Sequence, residues 1–258
     1  MAGCTDLLVV DFALRRTHPV VIDLLSVPEL SGITDEPDGG LRIGATTTFR
    51  TIGSDERVRS RYPILAQAAL CIGGWQIQNR ATLGGNIANA SPAGDSLPVL
   101  LALNASLTLT SPKGERRLEY NAMHTGYRQT ARSENEIITA IHLPSPPRRQ
   151  LFRKVGTRAA QAISKVVLAI SADETAGSWQ NVRVAAGSIA AVPTRLSGVE
   201  ALLEGKAFDA ELAETAGKVA SSEVHPIDDV RSTAAYRSHV VEHVVRRMIA
   251  NLRMDSTD

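Results

Sequence analysis

Residues 72–95 read IGGWQIQNRATLGGNIANASPAGD, and this glycine-rich stretch decides how the rest of the chain is interpreted. Tandem glycines such as Gly84-Gly85 let the backbone turn its N–H groups toward an anion, because no Cβ stands in the way. The surrounding Thr, Asn, Ser and Asp side chains can hydrogen-bond phosphate oxygens or sugar hydroxyls. Most Gly-Gly pairs only make turns, and neither a G-x-G-x-x-G fingerprint nor a G-K-[ST] motif is present. The stretch alone leaves a plain turn and an anion site both open.

A second segment of the same kind lies at the start of the chain. Ala2-Gly3-Cys4-Thr5-Asp6 leads directly into an apolar run at residues 7–10. Neither this segment nor residues 82–95 contain Lys or Arg. A phosphate group bound by the two segments would therefore be held mainly by backbone dipoles.

Apolar periodicity and turn residues predict a mixture of helices and strands. Before residue 144 the predicted strands are 6–10, 20–25, 41–46, 106–110, 116–120 and 136–143, and the predicted helices are 57–71 and 96–104. The strands 106–110 and 116–120 form a hairpin through the turn Pro112-Lys113-Gly114. After residue 150 the predicted strands are 151–158, 162–171 and 181–190, followed by helices at 195–204, 208–221 and 233–252.

The stretch PSPPRRQ at residues 144–150 is the predicted domain boundary, because three prolines resist both helix and sheet. It divides the chain into a domain at 1–147 and a second domain at 148–258. Within the second domain, strands are followed by helices. This order predicts an α+β arrangement in which a small antiparallel sheet packs on helices.

Composition argues against several functional classes. With 28 Lys and Arg against 27 Asp and Glu, the net charge of +1 gives no electrostatic reason to expect nucleic acid or an anionic membrane surface. The longest apolar stretches are far shorter than the roughly 20 residues that span a bilayer, and the N-terminus does not read as a signal peptide. The two cysteines, Cys4 and Cys71, lack iron–sulfur or zinc spacing. We expect a cytoplasmic protein without a cluster of its own.

One short motif suggests a metal and is interpreted otherwise. His239-Val240-Val241-Glu242-His243 matches the H-x-x-E-H pattern of some zinc proteases. Such a site needs a third protein ligand, and no Glu, Cys or His follows His243. We therefore predict a solvated helix face here and no metal site.

The order of the segments carries more information than any one of them. AGCTDLLV, VIDLLSVPELSGI, LRIGATTTFRTI and GGWQIQNRATLGGNIANASPAGDSLPVLLAL together resemble the flavin domain of molybdenum hydroxylases, the group that includes xanthine dehydrogenase and carbon monoxide dehydrogenase. FRKVGTRAAQAISKV, RVAAGSIAAVPTRLSGVEALLEGK and HPIDDVRSTAAYRSHVVEHVVRRMI resemble the domain that follows it there. The resemblance covers essentially the whole chain, and TLGGN…SPAGD is its most specific part.

The resemblance implies a fold and a cofactor. The fold is α+β, a two-loop FAD-binding domain of the p-cresol methylhydroxylase and vanillyl-alcohol oxidase type followed by the smaller domain. FAD would be bound by a first loop of Ala2, Gly3, Cys4, Thr5, Asp6 and Leu7 and a second loop of Thr82, Leu83, Gly84, Gly85 and Asn86. Asp95 would reach cofactor hydroxyls, Ile138 would line the flavin pocket and Lys154 would approach the isoalloxazine. A solvated strand lysine is the alternative for Lys154.

The resemblance also implies a role and partners. Electrons from the [2Fe–2S] clusters of a small subunit would pass through FAD to NAD⁺, quinone or dioxygen, while a large molybdopterin subunit oxidises the substrate. The assembly would be a dimer of heterotrimers, and no residue of this chain would be catalytic. Two alternatives remain. One is a self-contained flavin oxidase of the same superfamily, for which the sequence offers no obvious His, Tyr and Arg cluster; the other is a non-catalytic scaffold.

Three features depart from the family pattern. Cys4 stands where the family has the second glycine of AGGTD, and a Cβ at a residue with positive φ costs roughly 1–2 kcal/mol. Gln78 replaces the arginine that is usual in QIRN. The chain begins at the first loop, whereas family members carry a preceding helix and strand, so we expect weakened FAD binding or a misassigned start.

Overall fold

The computed structural model describes residues 1–207 and 209–252, which form two compact units. The first unit contains Met1–Ser91 and Asn104–Pro146, and the second contains Pro92–Leu103 and the described residues from Pro147 onward. The helices are α1 Leu7–Leu14, α2 Phe49–Ser54, α3 Glu56–Arg61, α4 Pro63–Cys71, α5 Trp75–Gln78, α6 Leu83–Asn89, α7 Ser96–Ala102, α8 Ser197–Leu203, α9 Ala210–Glu223 and α10 Ala234–Leu252. The strands are β1 Ile33–Asp35, β2 Leu41–Gly44, β3 Ser106–Ser111, β4 Gly114–Glu119, β5 His124–Gly126, β6 Gln129–Thr130, β7 Ile137–Leu143, β8 Arg149–Val155, β9 Val166–Thr175, β10 Ser178–Gly187 and β11 Thr194–Arg195.

The first unit is built on an antiparallel sheet with strand order β1-β2-β7-β3-β4. The central strand β7 is buried along nearly its whole length, as expected for a short, continuous apolar run. β5 and β6 form a separate two-stranded hairpin. The helices α2, α3 and α4 contact one another.

Local sequence explains where these helices begin and end. The Thr48 side chain accepts a hydrogen bond from Thr51 N and caps α2, and the Asp55 carboxylate accepts from the first-turn N–H groups of α3. These are typical N-cap residues. Pro63 is the first residue of α4 and disfavours helical geometry at Tyr62, so the predicted helix 57–71 is two helices rather than one.

The second unit contains an antiparallel sheet with strand order β11-β10-β9-β8. One face of β9 packs against α7, and Ser171 Oγ on that face donates to Ala102 O at 2.6 Å. Alternate residues Val166, Leu168 and Ile170 belong to the core that includes α8, α9 and α10. Because both faces of the first half of β9 are covered, its sequence from Val166 to Ile170 is apolar at every position instead of alternating.

The prediction of a mixed helix and sheet fold is confirmed. The strands predicted at 41–46 and 136–143, the 106–120 hairpin and the helix at 96–104 are confirmed with small shifts of their ends, as are the three strands and three helices after residue 150. The predicted helix 208–221 starts at residue 208, which lies outside the described residues. None of the described helices is sufficiently long and apolar to cross a membrane.

Two predicted strands are wrong. Residues 6–10 lie largely in helix α1, where Leu8 N donates to Cys4 O and Val10 N donates to Asp6 O. Residues 20–25 are extended coil that ends in a 3-10 turn, Leu24–Ser26, capped by the Asp23 carboxylate. Apolar runs of five or six residues fit either a strand or a buried helical turn, and periodicity cannot separate them.

Candidate cofactor site

The first loop, residues 2–7, presents a row of backbone N–H groups. In the part of the chain that the structure describes, the N–H groups of Ala2 through Leu7 make no hydrogen bond. Cys4 within this row has φ 59°, the left-handed conformation, and its thiol lies 3.2 Å from Ala2 O. A left-handed residue among consecutive free N–H groups gives a concave surface of positive potential, which suits an anion.

Gly3 fixes where this loop lies. A Cβ at Gly3 would stand 1.9 Å from Arg80 O and 2.6 Å from Arg80 C. Such distances are impossible for a real side chain, and the atoms in the way are backbone rather than a flexible side chain. The first loop therefore touches the backbone just before the second loop, residues 82–86, and only glycine permits this approach.

The second loop forms the first turn of α6, and the N–H groups of Leu83 through Asn86 are already bonded within the chain. Thr82 is the N-cap, and its Oγ1 accepts from Gly85 N at 3.0 Å. Leu83 N donates to Thr47 O and Gly84 N donates to Ala45 O at 2.9 Å. The free N–H groups of the site thus lie mainly in the first loop, whereas the sequence argument expected both loops to offer them.

The two tandem glycines have different surroundings. Gly84 is buried, and a Cβ there would lie 2.6 Å from Ala45 Cβ and 2.7 Å from Ala45 O. Gly85 is exposed, and a Cβ there would meet only Thr82 Oγ1 at 2.8 Å. Gly84 is therefore required for the packing of α6, while Gly85 leaves a bare backbone surface open to a ligand.

A cleft of about 510 Å³ opens beside the first loop, a volume within the range of small-molecule sites. The residues that line it include loop backbone, apolar side chains and two charged side chains: Met1, Ala2, Gly3, Cys4, Thr5, Leu8, Val9, Val21, Asp23 and Arg80. Free N–H groups suit a diphosphate, and the apolar side chains suit a stacked ring system. The residues present therefore fit a dinucleotide-sized cofactor in composition and in hydrogen-bonding capacity.

Of the other predicted site residues, Ile138 lies buried on β7 in the first unit. Asp95 and Lys154 lie in the second unit and contact each other, with Lys154 Nζ 2.6 Å from Asp95 Oδ2. The Lys154 side chain is only 12% exposed, so it is not a solvated strand lysine. Burial raises the pKa of Asp95, and Lys154 and the Ser164 hydroxyl act against this rise.

Sequence reasoning missed two polar neighbours of the predicted residues. In the second unit, Ser164 Oγ donates a hydrogen bond to Asp95 Oδ1. In the first unit, Arg128 from the β5–β6 hairpin pairs with Asp6 of the first loop. Both contacts join segments that are far apart in the sequence, so no local motif could predict them.

The H-x-x-E-H motif has an ordinary helical geometry. His243 Nδ1 lies 3.0 Å from the His239 carbonyl oxygen, and the two imidazole rings contact each other at a tilt of 37° with their centroids 4.1 Å apart. Among the residues that the structure describes, no group of three His, Cys, Asp or Glu could hold a metal ion. A pair of exposed histidines in ring contact on the surface of α10 accounts for the motif.

Residues 1–146 match the family model described as the FAD binding domain in molybdopterin dehydrogenase. Residues 151–252 match the CO dehydrogenase flavoprotein C-terminal domain. The chain belongs to the FAD-binding subunits of the molybdenum hydroxylases. It is an oxidoreductase subunit and its cofactor is FAD.

Relatives support this assignment over nearly the whole length of the chain. The xanthine dehydrogenase FAD-binding subunit of Escherichia coli O157:H7 is 30% identical over 253 residues, which are 97% of this chain and 87% of the relative. The nicotine 6-hydroxylase medium subunit of Paenarthrobacter nicotinovorans is 33% identical and is covered to 87%, with 96% of this chain matched. A structure of carbon monoxide dehydrogenase from Hydrogenophaga pseudoflava matches with a TM-score of 0.89 at 30% identity, over 96% of this chain and 86% of that one.

Proposed function

We propose that this chain is the electron-transfer subunit of a molybdenum hydroxylase. In this role it would accept electrons from [2Fe–2S] clusters in a small partner subunit and deliver them to NAD⁺, quinone or dioxygen. A large molybdopterin subunit would oxidise the substrate, and the complex would be a dimer of heterotrimers. Support comes from relatives that are named medium subunits or chains of dehydrogenases and hydroxylases. The proposed location is the cytoplasm, where cysteines stay reduced, as Cys4 and Cys71 are here.

The first loop carries this proposal. Six consecutive residues, 2–7, present N–H groups without partners among the described residues, and the glycine contact at Arg80 positions them beside the second loop. These N–H groups would hold the FAD diphosphate, as N–H nests hold phosphate groups elsewhere. FAD, when bound, supplies a group that accepts single electrons and releases them as a pair.

The remaining site residues are proposed to orient the cofactor. Gly85 would offer backbone for close approach of the cofactor, with Thr82 and Asn86 as neighbouring polar groups. Ile138 would contribute apolar surface to the flavin pocket. Asp95 would bind cofactor hydroxyls, and Lys154, fixed by its ion pair with Asp95, would favour negative charge on the reduced ring.

The first test is flavin content. The purified chain should bind about one FAD per chain without a covalent bond, so acid precipitation should release all the yellow colour into the supernatant. No residue of the sequence is placed by motif for flavin attachment, and Cys4 lies in the phosphate loop. Gly3→Leu is the comparison variant and should retain less FAD, because its side chain must separate the first loop from Arg80. Flavin that stays in the pellet, or a wild-type chain that takes up none, contradicts the proposal.

The second test is the direction of electron flow. The chain should co-purify with one large and one small subunit when the three are produced together. Addition of the reduced small subunit to the FAD-loaded chain should bleach the visible absorbance of the flavin. A flavin that is reduced directly by an organic substrate, with no small subunit present, would instead indicate a self-contained oxidase.

A further inference from the structure

The β5–β6 hairpin brings a positive charge to the two loops, which contain none of their own. Arg128 lies at its tip in the left-handed conformation, with φ 52°. Its Nη1 is 3.5 Å from Asp6 Oδ2 and donates to Asn89 Oδ1 at 3.0 Å. Asp6 belongs to the first loop, and Asn89 is the last residue of α6, whose first turn is the second loop. One guanidinium therefore touches the first loop and the last residue of the helix that begins in the second loop.

This contact contributes little to folding. The side chains of Arg128 and Asp6 are 40% and 51% exposed, and ion pairs between such exposed groups add little to stability because water screens them. A non-glycine residue in the left-handed conformation is itself unfavourable. The reason for an arginine here is therefore to be sought in the local charge and not in the stability of the hairpin.

The charges around the first loop indicate why a positive side chain stands at position 128. The free N–H groups attract an anion, but the Asp6 carboxylate beside them repels one. The cleft contributes one further negative group, Asp23, and one positive group, Arg80. Of the charged side chains named here, Arg128 is the one that contacts the Asp6 carboxylate directly.

We propose that Arg128 is a positioning residue for FAD: it holds the Asp6 carboxylate and neutralises it, so that the first loop accepts the diphosphate. The role rests on the proposed function, because it requires FAD in the first loop. Arg128 acts through Asp6 and makes no contact of its own with the phosphates. Loss of its charge would leave Asp6 to repel the diphosphate.

The test is a double-mutant cycle on FAD affinity, measured by titration of the full-length apo-protein. At low ionic strength Arg128→Met should weaken FAD binding about threefold to tenfold, from one uncompensated charge near a diphosphate. Arg128→Lys should restore most of the affinity. In an Asp6→Asn background, Arg128→Met should change the affinity by less than about twofold. Arg59→Met is the control, since it removes an equally charged side chain from an exposed ion pair on α3.

Salt provides a second readout that a purely structural role would not move. The effect of Arg128→Met should shrink in about 1 M salt, where the screening length is about 3 Å. Equal FAD affinity of Arg128→Met and wild type at low salt refutes the role of Arg128. An undiminished loss in the Asp6→Asn background refutes it as well, since Arg128 would then act directly. A wild-type chain that binds no FAD refutes the proposed function itself and this role with it.

Discussion

The tandem glycines of the second loop should respond in opposite ways to the same substitution. Gly84→Ala places a Cβ 2.6 Å from Ala45 Cβ and 2.7 Å from Ala45 O, both in the buried interior of the first unit. Overpacking of this kind costs about 1–3 kcal/mol. The shift it forces also strains the hydrogen bond from Gly84 N to Ala45 O, worth about 1 kcal/mol. We therefore expect about 2–4 kcal/mol of lost stability, which is at least about 4 °C in a domain of this size.

Gly85→Ala should leave the fold nearly unchanged. Its Cβ meets only Thr82 Oγ1, so the N-cap hydrogen bond weakens at a cost of up to about 1 kcal/mol. Alanine in place of glycine within a helix stabilises the helix by about 1 kcal/mol. The two contributions cancel, yet the new methyl group covers the exposed backbone at which FAD is proposed to lie.

The assay is thermal unfolding of both apo-proteins, paired with FAD titration at a temperature where both are folded. Gly84→Ala should lower the unfolding midpoint, whereas Gly85→Ala should keep it and lose FAD affinity about tenfold, or 1.4 kcal/mol. If Gly85→Ala binds FAD as the wild type does, the cofactor does not lie on this turn. If Gly84→Ala is as stable as the wild type, the packing argument from Ala45 is wrong.

Three further predictions follow from single contacts. Cys4→Gly should remove about 1 kcal/mol of backbone strain at this left-handed position and keep or tighten FAD binding. Weaker binding in a flavin titration would mean that the sulfur has a role. Burial lowers the pKa of His124 to about 4, so stability should be full above the unfolded pKa near 6.5 and be lost, by about 1–2 kcal/mol after screening, as pH falls toward 4. His124→Gln should flatten that pH profile of urea unfolding, and an unchanged profile would contradict the assignment. Lys154→Met should lower the free energy of unfolding by about 3 kcal/mol, because the buried Asp95 carboxylate loses its ion-pair partner. Asp95→Asn combined with Lys154→Met should recover most of this stability. Equal losses in the single and the double variant would contradict the ion-pair argument.

The sequence was informative where local rules decide the structure. The 106–120 hairpin, β7 and the long amphipathic α10 follow from turn residues and from apolar periodicity, and the structure has them close to the predicted positions. The apolar run after Asp6 was different. It was predicted as a strand, but in the structure it is helix α1, which exposes five large apolar residues: Leu7, Leu8, Val9, Phe12 and Leu14. Four apolar residues without a clear period could not distinguish a strand from a helix.

Local sequence patterns could not predict the side-chain contacts of the candidate site. Ser164 on Asp95 and Arg128 on Asp6 each join segments separated by many tens of residues. Nothing near Arg128 in the sequence marks it, because its importance comes from the residues that the hairpin places opposite. Similarity to a family supplied the positions of the loops, but not the charge balance around them.

The two glycine-rich loops therefore do different work, although their sequences suggest the same one. A position can require glycine for two separate reasons. Either a ligand must approach its backbone, or another part of the chain already lies where a Cβ would stand. Gly3 and Gly84 meet the chain itself, at Arg80 and Ala45, whereas Gly85 meets almost nothing. The N–H groups follow the same division, since the second loop uses them to anchor α6 and the first leaves them free. We therefore propose that the second loop is mainly a rigid support and that the first loop binds the anion, with Cys4 as the left-handed residue that bends its row of N–H groups.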